Sequence, residues 1–347
     1  MKKIDCLAND GSPLGVSEAS IFGQDGRMGV GGAELAILTL LKGWHDAGHD
    51  VTFYNDPSTP NGSCFEQRPI SSFRGNDDRD VLIIFRSPNE RSIGAKGLKV
   101  WFSCDQYTVG DFRAFAPTVN KIVTISPFHS KYFAQMYGIN DTVSIDLPVR
   151  TWEYEGRDIV KVPHRCIFTS MPDRGLMPLN AAWHRIVEQV PDASLVITSD
   201  WRLWTSWASE EQTREYRMAF ARQPNVIYRG AINRNQLIDD QLKAELHLYP
   251  CVYDELFCIS VAESQVAGAY PITSAVGAVE TTNMGTKISG NPYDPAWINS
   301  FVETVVSILQ QPNATKELID SVKTRAKHRF SLDTVLKQWD EKVFQHG

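Results

Sequence analysis

The sequence has no dense run of lysine or arginine, and its formal net charge is −6 over 347 residues. Proteins that bind a nucleic-acid backbone or an anionic membrane surface typically carry a concentrated positive patch. The sequence also has no apolar stretch near the roughly 18 residues that a membrane-spanning helix needs. These absences argue against a nucleic-acid partner and against a membrane span.

Cysteine is scattered: the six cysteines lie far apart, and several fall in apolar runs such as the one around Cys166. This spacing matches neither a disulfide framework nor a zinc site, so we expect buried, reduced thiols. The N-terminal Met1-Lys2-Lys3-Ile4-Asp5 places a carboxylate too early for a secretory signal peptide. Together these features predict a cytoplasmic protein.

Short apolar, β-rich runs alternate with segments of helical periodicity along the chain. This alternation is typical of a parallel sheet with crossover helices, and therefore of an α/β fold. The predicted strands are residues 4–8, 51–54, 81–85, 100–103 and 122–125, followed by 166–169, 195–198, 226–228, 246–249 and 271–273.

The alternation lapses in a charged stretch, residues 147–163, and then restarts. We therefore predict two α/β domains, residues 1–150 and 151–330, with a cleft lined by loops at the carboxyl ends of the strands. Residues 331–347 form a tail with helical spacing. Its apolar stripe contains Leu332, Val335, Leu336 and Trp339.

Two common nucleotide-binding fingerprints are absent. No G-x-G-x-x-G follows the first predicted strand in a tight turn, and no G-x-x-x-x-G-K-[ST] occurs, so dehydrogenase and P-loop interpretations lose their signature. Asp78-Arg79-Asp80 has the D-x-D spacing of manganese-dependent sugar transferases, but it precedes a predicted strand, where acidic turn residues are common. We predict no metal site.

Four stretches at predicted strand-to-helix junctions are candidate phosphate seats: residues 31–34, 170–176, 253–263 and 273–280. Paired glycines such as Gly31 and Gly32 let a backbone approach an anion, and helix N-termini present free N–H groups. Arg174 adds a charge and a bidentate fork. Glu255 and Glu263 flank the start of a predicted helix, where carboxylates suit the vicinal hydroxyls of a ribose and a hexose. A diphosphate flanked by two sugars is a nucleotide-sugar.

In this order and spacing, the motifs resemble family 4 retaining glycosyltransferases of the GT-B fold (group 1 glycosyl transferases) over nearly the whole chain. Gly31-Gly32-Ala33-Glu34 with Gly48-His49-Asp50-Val51 is similar to the family's G-G-A-E helix and G-H-x-V strand entry. Ser126-Pro127-Phe128-His129 resembles its S-x-F-H turn, and Glu255 to Glu263 resembles its E-x7-E motif. The tail resembles the family's last helix.

The resemblance implies two Rossmann-like domains facing a cleft: residues 1–150 on the acceptor side and residues 151–330 for the nucleotide-sugar donor. It implies that residues 331–347 form a helix that crosses back to the N-terminal domain. The implied reaction transfers a sugar from a UDP- or GDP-linked donor to an acceptor with retention of anomeric configuration. The acceptor stays open as a glycan, a lipid-linked sugar, a small molecule or another class. No sequence feature requires a metal or another cofactor.

Carried over residue by residue, the resemblance implies that Glu263 binds the ribose hydroxyls and that Glu255 contacts the transferred sugar. The resemblance also implies that Arg174 neutralises the diphosphate. Many relatives carry further basic residues near this position, and these are absent here, so Ser170 is expected to assist Arg174. The remaining implied contacts to the sugar and diphosphate come from Gly31, Gly32, Phe257, Cys258 and Ile259.

Cys104 and Asp105 stand where the family often has a histidine, which makes them the candidates on the acceptor side. Two other functions fit the same motifs: a nucleotide-sugar epimerase on this fold and a non-catalytic nucleotide-sugar-binding protein. Structural interpretations also stay open, with Glu255 and Glu263 as solvated helix charges, Arg174 as a cap or ion-pair partner, and Gly32 as a helix-entry glycine.

Overall fold

The computed structural model describes residues 1–8, 15–22, 29, 31–56, 62–106, 110–201 and 210–345. The chain divides into unit 1, residues 1–27, 32–148 and 331–347, and unit 2, residues 28–31 and 149–330. Unit 1 contains a seven-stranded sheet and unit 2 a six-stranded sheet, and all the strand pairs are parallel. The predicted α/β fold class, with two Rossmann-like parallel sheets, is confirmed.

The sheet of unit 1 has the strand order β3-β2-β1-β4-β5-β6-β7. Its strands are β1 (Lys3–Leu7), β2 (Asp50–Tyr54), β3 (Glu66–Arg68), β4 (Val81–Phe85), β5 (Leu98–Phe102), β6 (Lys121–Thr124) and β7 (Val143–Ser144). The order reverses between β1 and β4. In open α/β sheets, the carboxyl ends of the strands at such a switch point form the crevice in which ligands bind.

The first helices of unit 1 are α1 (Glu18–Phe22), α2 (Gly32–Asp46), α3 (Phe112–Phe115) and α4 (Pro127–Tyr137). At the start of α4, Ser126 Oγ accepts the His129 N–H at 3.0 Å and His129 Nδ1 accepts the Ile125 N–H at 3.3 Å. Burial lowers the pKa of His129 to about 3 and so keeps the ring neutral, as an acceptor nitrogen requires. The S-x-F-H turn is therefore a reciprocal helix cap.

The sheet of unit 2 has the order β10-β9-β8-β11-β12-β13. Its strands are β8 (Arg165–Thr169), β9 (Ser194–Thr198), β10 (Val226–Tyr228), β11 (Leu246–Tyr249), β12 (Tyr270–Ser274) and β13 (Thr286–Ile288). Its helices are α5 (Leu176–Gln189), α6 (Glu210–Phe220), α7 (Arg234–Lys243), α8 (Ile259–Ala267), α9 (Val279–Thr282), α10 (Pro295–Leu309) and α11 (Pro312–Arg329). The order reverses between β8 and β11, which places a second switch point where two of the candidate stretches begin.

The tail returns to unit 1 as α12 (Leu332–Trp339), which continues into a π-helical turn at Asp340–Phe344. The fully buried ring of Trp339 lies edge-on to Trp44 of α2 and to Phe102 of β5, each at 5.2 Å between centroids. Gly43 allows a close helix crossing, because a Cβ there would lie 2.9 Å from Leu336 Cδ1. This packing matches the predicted crossing of the last helix back to the N-terminal part of the chain.

The structure also bears on the predictions for the cysteines and for a membrane span. None of the six cysteines forms a disulfide, and Cys6, Cys166, Cys251 and Cys258 are buried. Within the residues that the structure describes, no helix has both the length and the apolarity to cross a bilayer.

Candidate functional site

In unit 2, the segments that follow β8 and β11 meet around the hydroxyl of Tyr249. This hydroxyl donates to Glu255 Oε1 at 2.8 Å and lies 3.2 Å from Ser170 Oγ. Burial raises the pKa of Tyr249 well above its usual value, so the hydroxyl stays protonated and able to donate. The structure thus links two predicted site residues through a third residue that the motifs did not single out.

Arg174 lies in a short 3₁₀ turn between β8 and α5 and is buried. Its guanidinium carbon lies 3.2 Å from the centroid of the Tyr253 ring, and its Nε lies 3.5 Å from Asp173 Oδ1. Burial alone would lower the pKa of Arg174, but the charges of Glu255 and Asp173 outweigh it and raise the pKa. Arg174 is therefore a permanent cation in the electrostatic field of Glu255.

Glu255 is held by its backbone as well as by its side chain. Its carbonyl accepts the Ala278 N–H at 2.7 Å, and a Cβ on Gly277, where φ is +53°, would lie 2.7 Å from that carbonyl oxygen. The candidate stretch 273–280 therefore packs against Glu255, and its Ala278 amide is engaged in this contact. The helix that this stretch opens, α9, has only four residues, and this amide is already bonded, so its role as a phosphate seat stays a prediction.

Helix α8 begins immediately after the 255–258 segment. Cys258 is its N-cap and has φ of 71°, a left-handed conformation that is uncommon for a residue other than glycine. The N–H groups of the first helical turn, which starts at Ile259, have no partner within the helix and carry the positive end of its dipole. Burial raises the pKa of Cys258 to about 12, so its thiol is protonated.

Glu263 lies in the second turn of α8 and is only 3% exposed. Its Oε1 is 2.7 Å from Arg234 Nη1. The Glu153 carboxylate in turn accepts hydrogen bonds from Arg234 Nε at 2.7 Å and from Arg150 Nε at 2.8 Å. This burial excludes Glu263 as a solvated surface charge. Burial raises the pKa of Glu263, and the charge of Arg234 opposes that rise. Arg234 is a second residue that the motif analysis missed.

The unit 1 candidates lie at the carboxyl edge of its sheet. Gly32 is the first residue of α2, and Gly31, which directly precedes it in the chain, is grouped with unit 2. Cys104 and Asp105 follow β5, and Asp105 Oδ2 accepts a hydrogen bond from Arg86 Nε at 3.0 Å. Burial raises the pKa of Cys104 to about 12, so this thiol also remains protonated.

Gly175 lets the turn that carries Arg174 pack against the end of β11. Its φ of +138° is open to glycine and to few other residues, and a Cβ would lie 2.8 Å from the Pro250 carbonyl carbon. We expect Gly175→Ala to destabilise the protein by about 2–4 kcal/mol, because strain and overlap with backbone act together. Thermal and urea denaturation measure this loss.

Gly156→Ala is the matched control for this substitution. Gly156 also has a positive φ, +66°, but nothing lies within 4 Å of the added Cβ. We expect it to cost only about 1 kcal/mol, the backbone penalty alone. Equal losses in the two variants would contradict the close approach at Pro250.

Comparison with known proteins identifies the fold of the chain. No protein-family model matches the chain, and no curated protein sequence matches it. The chain is similar to a glycosyltransferase from Rickettsia africae ESF-5, with a TM-score of 0.73, 15% identity and coverage of 99% of this chain and 98% of that chain. Sucrose-phosphate synthase from Thermosynechococcus elongatus gives a TM-score of 0.70 at 14% identity, with coverage of 99% and 100%.

HepE from Anabaena, in a complex with UDP and glucose, gives a TM-score of 0.71 at 13% identity and covers 99% of this chain and 100% of its own. These similarities extend over the full length of each protein. The chain therefore has the GT-B fold that the sequence motifs predicted.

Proposed function

We propose that the protein is a glycosyltransferase that moves a sugar from a nucleoside-diphosphate sugar to an acceptor, with retention of anomeric configuration and without a metal. The observation that carries this proposal is the convergence of Arg174, Glu255 and the N-terminus of α8 at the switch point of unit 2. A cation, a carboxylate and free N–H groups in one place suit a diphosphate joined to a sugar. The shared fold supports the same function.

In this proposal each part of the donor has its own partner in unit 2. The diphosphate binds the first-turn N–H groups of α8 and the guanidinium of Arg174. Negative charge grows on the leaving diphosphate in the transition state, and each well-placed donor lowers the barrier by about 3 kcal/mol. Glu255, held by Tyr249, accepts hydrogen bonds from the transferred sugar and fixes its orientation.

The ribose of the donor is assigned to Glu263. Arg234 favours the ionised form of this carboxylate, which is the form that accepts two hydrogen bonds from a cis-diol. Because the Arg150, Glu153 and Arg234 side chains fix one another, the carboxylate has little freedom to rotate. Such preorganisation reduces the entropy lost when a ligand binds.

The retention of configuration rests on the resemblance of the motifs. A front-face route, in which the leaving phosphate takes the proton of the acceptor hydroxyl, needs no protein nucleophile. The protonated thiols of Cys104 and Cys258 agree with that route. We also propose that residues 1–150 serve the acceptor and that the protein is cytoplasmic, as its six unpaired cysteines favour.

We expect turnover to survive excess EDTA, because the proposed phosphate site uses Arg174 and helix N–H groups in place of a divalent cation. Within the described residues, the side chains that lie close enough together to hold a metal ion are those of His45, Asp46 and Cys64 in unit 1. Asp46 there forms an ion pair with Lys42 at 2.6 Å. The measurement is nucleotide release with and without EDTA. Complete loss of turnover, restored by manganese or magnesium, would overturn the phosphate site.

The function itself is tested by incubating the purified protein with a panel of nucleotide-sugars and following nucleotide release with and without candidate acceptors. Release that rises with an acceptor, together with a product whose anomeric configuration matches the donor by NMR, supports the proposal. Release without an acceptor, with an epimerised sugar, identifies the epimerase. Binding without any turnover identifies the non-catalytic protein.

A further inference from the structure

Arg86 has an unusual backbone and follows β4 directly, at the switch point of the unit 1 sheet. Its φ is +70°, a left-handed conformation in a residue that is not glycine. Its N–H donates to the Phe102 carbonyl at 2.9 Å, and its carbonyl accepts the indole N–H of the buried Trp101 at 3.1 Å. Contacts on both sides thus hold a strained conformation in place, a pattern that clusters at functional sites.

The side chain of Arg86 connects two acidic residues from other elements. Its Nε donates to Asp105 Oδ2 at 3.0 Å, and its Nη1 lies 3.9 Å from Oε1 of Glu34 in the first turn of α2. The three side chains are 25%, 28% and 17% exposed for Arg86, Asp105 and Glu34, so a ligand can reach them. We call these three residues the Arg86 cluster.

A purely structural ion pair in the same unit has a different character. Arg79 Nε lies 2.6 Å from Asp5 Oδ2, and the two side chains are 0% and 1% exposed. Arg79 is not among the residues with positive φ. The Arg86 cluster combines accessibility, backbone strain and a switch-point position, and the buried pair has neither the accessibility nor the strain.

The charges of the Arg86 cluster indicate what it binds. One guanidinium and two carboxylates leave a formal excess of one negative charge, which repels a phosphate or carboxylate group on a ligand. Carboxylate oxygens accept hydrogen bonds from hydroxyl groups, and guanidinium N–H groups donate to them. The combination therefore suits an uncharged molecule with several hydroxyls.

We propose that the Arg86 cluster is the acceptor-binding site of unit 1, that its ligand is an uncharged polyhydroxylated acceptor such as a sugar, and that Arg86 is the positioning residue that orients Asp105 and Glu34. This inference rests on the proposed glycosyltransferase function. It goes beyond that function by adding Arg86 and Glu34 to the site and by naming the chemical class of the acceptor.

The test uses Arg86→Gly, because glycine adopts φ of +70° without strain and the substitution removes only the side chain. We expect its melting temperature to be equal to or above that of the wild type, while the KM for a neutral sugar rises at least about tenfold. Binding of a free nucleoside diphosphate should stay within about twofold, since the proposed nucleotide contacts lie in unit 2. Arg86→Lys should recover part of the affinity, and Arg68→Met, in an exposed pair with Glu66, should match the wild type.

The acceptor probes are pairs of free sugars and their phosphates, such as glucose with glucose 6-phosphate and fructose with fructose 6-phosphate. We expect the neutral members to stimulate nucleotide release and the phosphates to be weaker. A preference for the phosphates, no stimulation by any neutral sugar despite donor hydrolysis, or an unchanged KM in Arg86→Gly would each overturn the inference.

Saturation-transfer NMR with the same sugar pairs tests the site without turnover. Signals from the neutral sugars that disappear in Arg86→Gly support the site, and signals that persist contradict it. If the wild type releases no nucleotide with any donor and acceptor but still shows this Arg86-dependent binding, the proposed function fails and the site stands.

Discussion

Arg174→Ala is expected to lower kcat/KM by about two to three powers of ten, equivalent to ~3–4 kcal/mol of lost transition-state stabilisation. The guanidinium is buried beside the Glu255 region, where its charge is screened little by water. Arg174→Lys should recover only part of the rate, because an ammonium group lacks the bidentate fork. Steady-state kinetics with the preferred donor measure both variants.

Arg157→Ala is the matched control for this experiment. Arg157 also belongs to unit 2 and forms an ion pair, with Nη1 2.6 Å from Asp239 Oδ1, but both side chains are partly exposed and neither belongs to the proposed site. We expect its kinetics to match the wild type. Wild-type kinetics in Arg174→Ala, with the fold intact by circular dichroism, would show that Arg174 only stacks on Tyr253 and packs.

The second large effect separates the two glutamates of the E-x7-E motif. Glu263→Ala should weaken binding of a free nucleoside diphosphate by ~2–4 kcal/mol and act mainly on KM, because ribose contacts are the same in donor and transition state. Glu255→Ala should leave binding of the bare nucleotide unchanged, lower kcat and blur the choice of donor sugar. Calorimetry with nucleoside diphosphate and with intact donor decides between these outcomes.

Glu263→Ala also leaves Arg234 buried without this carboxylate, which itself costs stability. Glu153→Gln controls for that effect, since it removes a carboxylate from Arg234 and keeps Glu263. We expect this control to lose stability but to weaken nucleotide binding much less than Glu263→Ala does. Loss of the bare nucleotide in Glu255→Ala, with binding kept in Glu263→Ala, would reverse the assignment of the two ends of the ligand.

Most strands were predictable because each is a buried apolar run between polar segments, and their ends agree with the structure within two residues. The missed strands are β3, β7 and β13, which have two or three residues and lie at sheet edges. β3 consists of Glu66, Gln67 and Arg68, so no apolar pattern marks it. Edge strands of this kind are recognised by pairing with a neighbour, which a single sequence does not display.

The members of the candidate site could be proposed from the sequence where they lie close together in the chain, and not where they depend on distant pairs. The glutamates, Arg174 and the start of α8 follow from motif spacing. Tyr249 meets Ser170 from 79 residues away, and Arg86 meets Asp105, which follows a neighbouring strand, from 19 residues away. Sheet topology creates these contacts, so spacing along the chain carries no signal for them.

A crystal structure of the protein with a bound nucleoside diphosphate such as UDP or GDP would show directly whether unit 2 holds the donor as proposed. We expect phosphate oxygens within hydrogen-bond distance of the first-turn N–H groups of α8 and of the Arg174 guanidinium, with the ribose hydroxyls on Glu263. A nucleotide bound elsewhere in unit 2, or one whose phosphates contact neither α8 nor Arg174, would contradict this expectation.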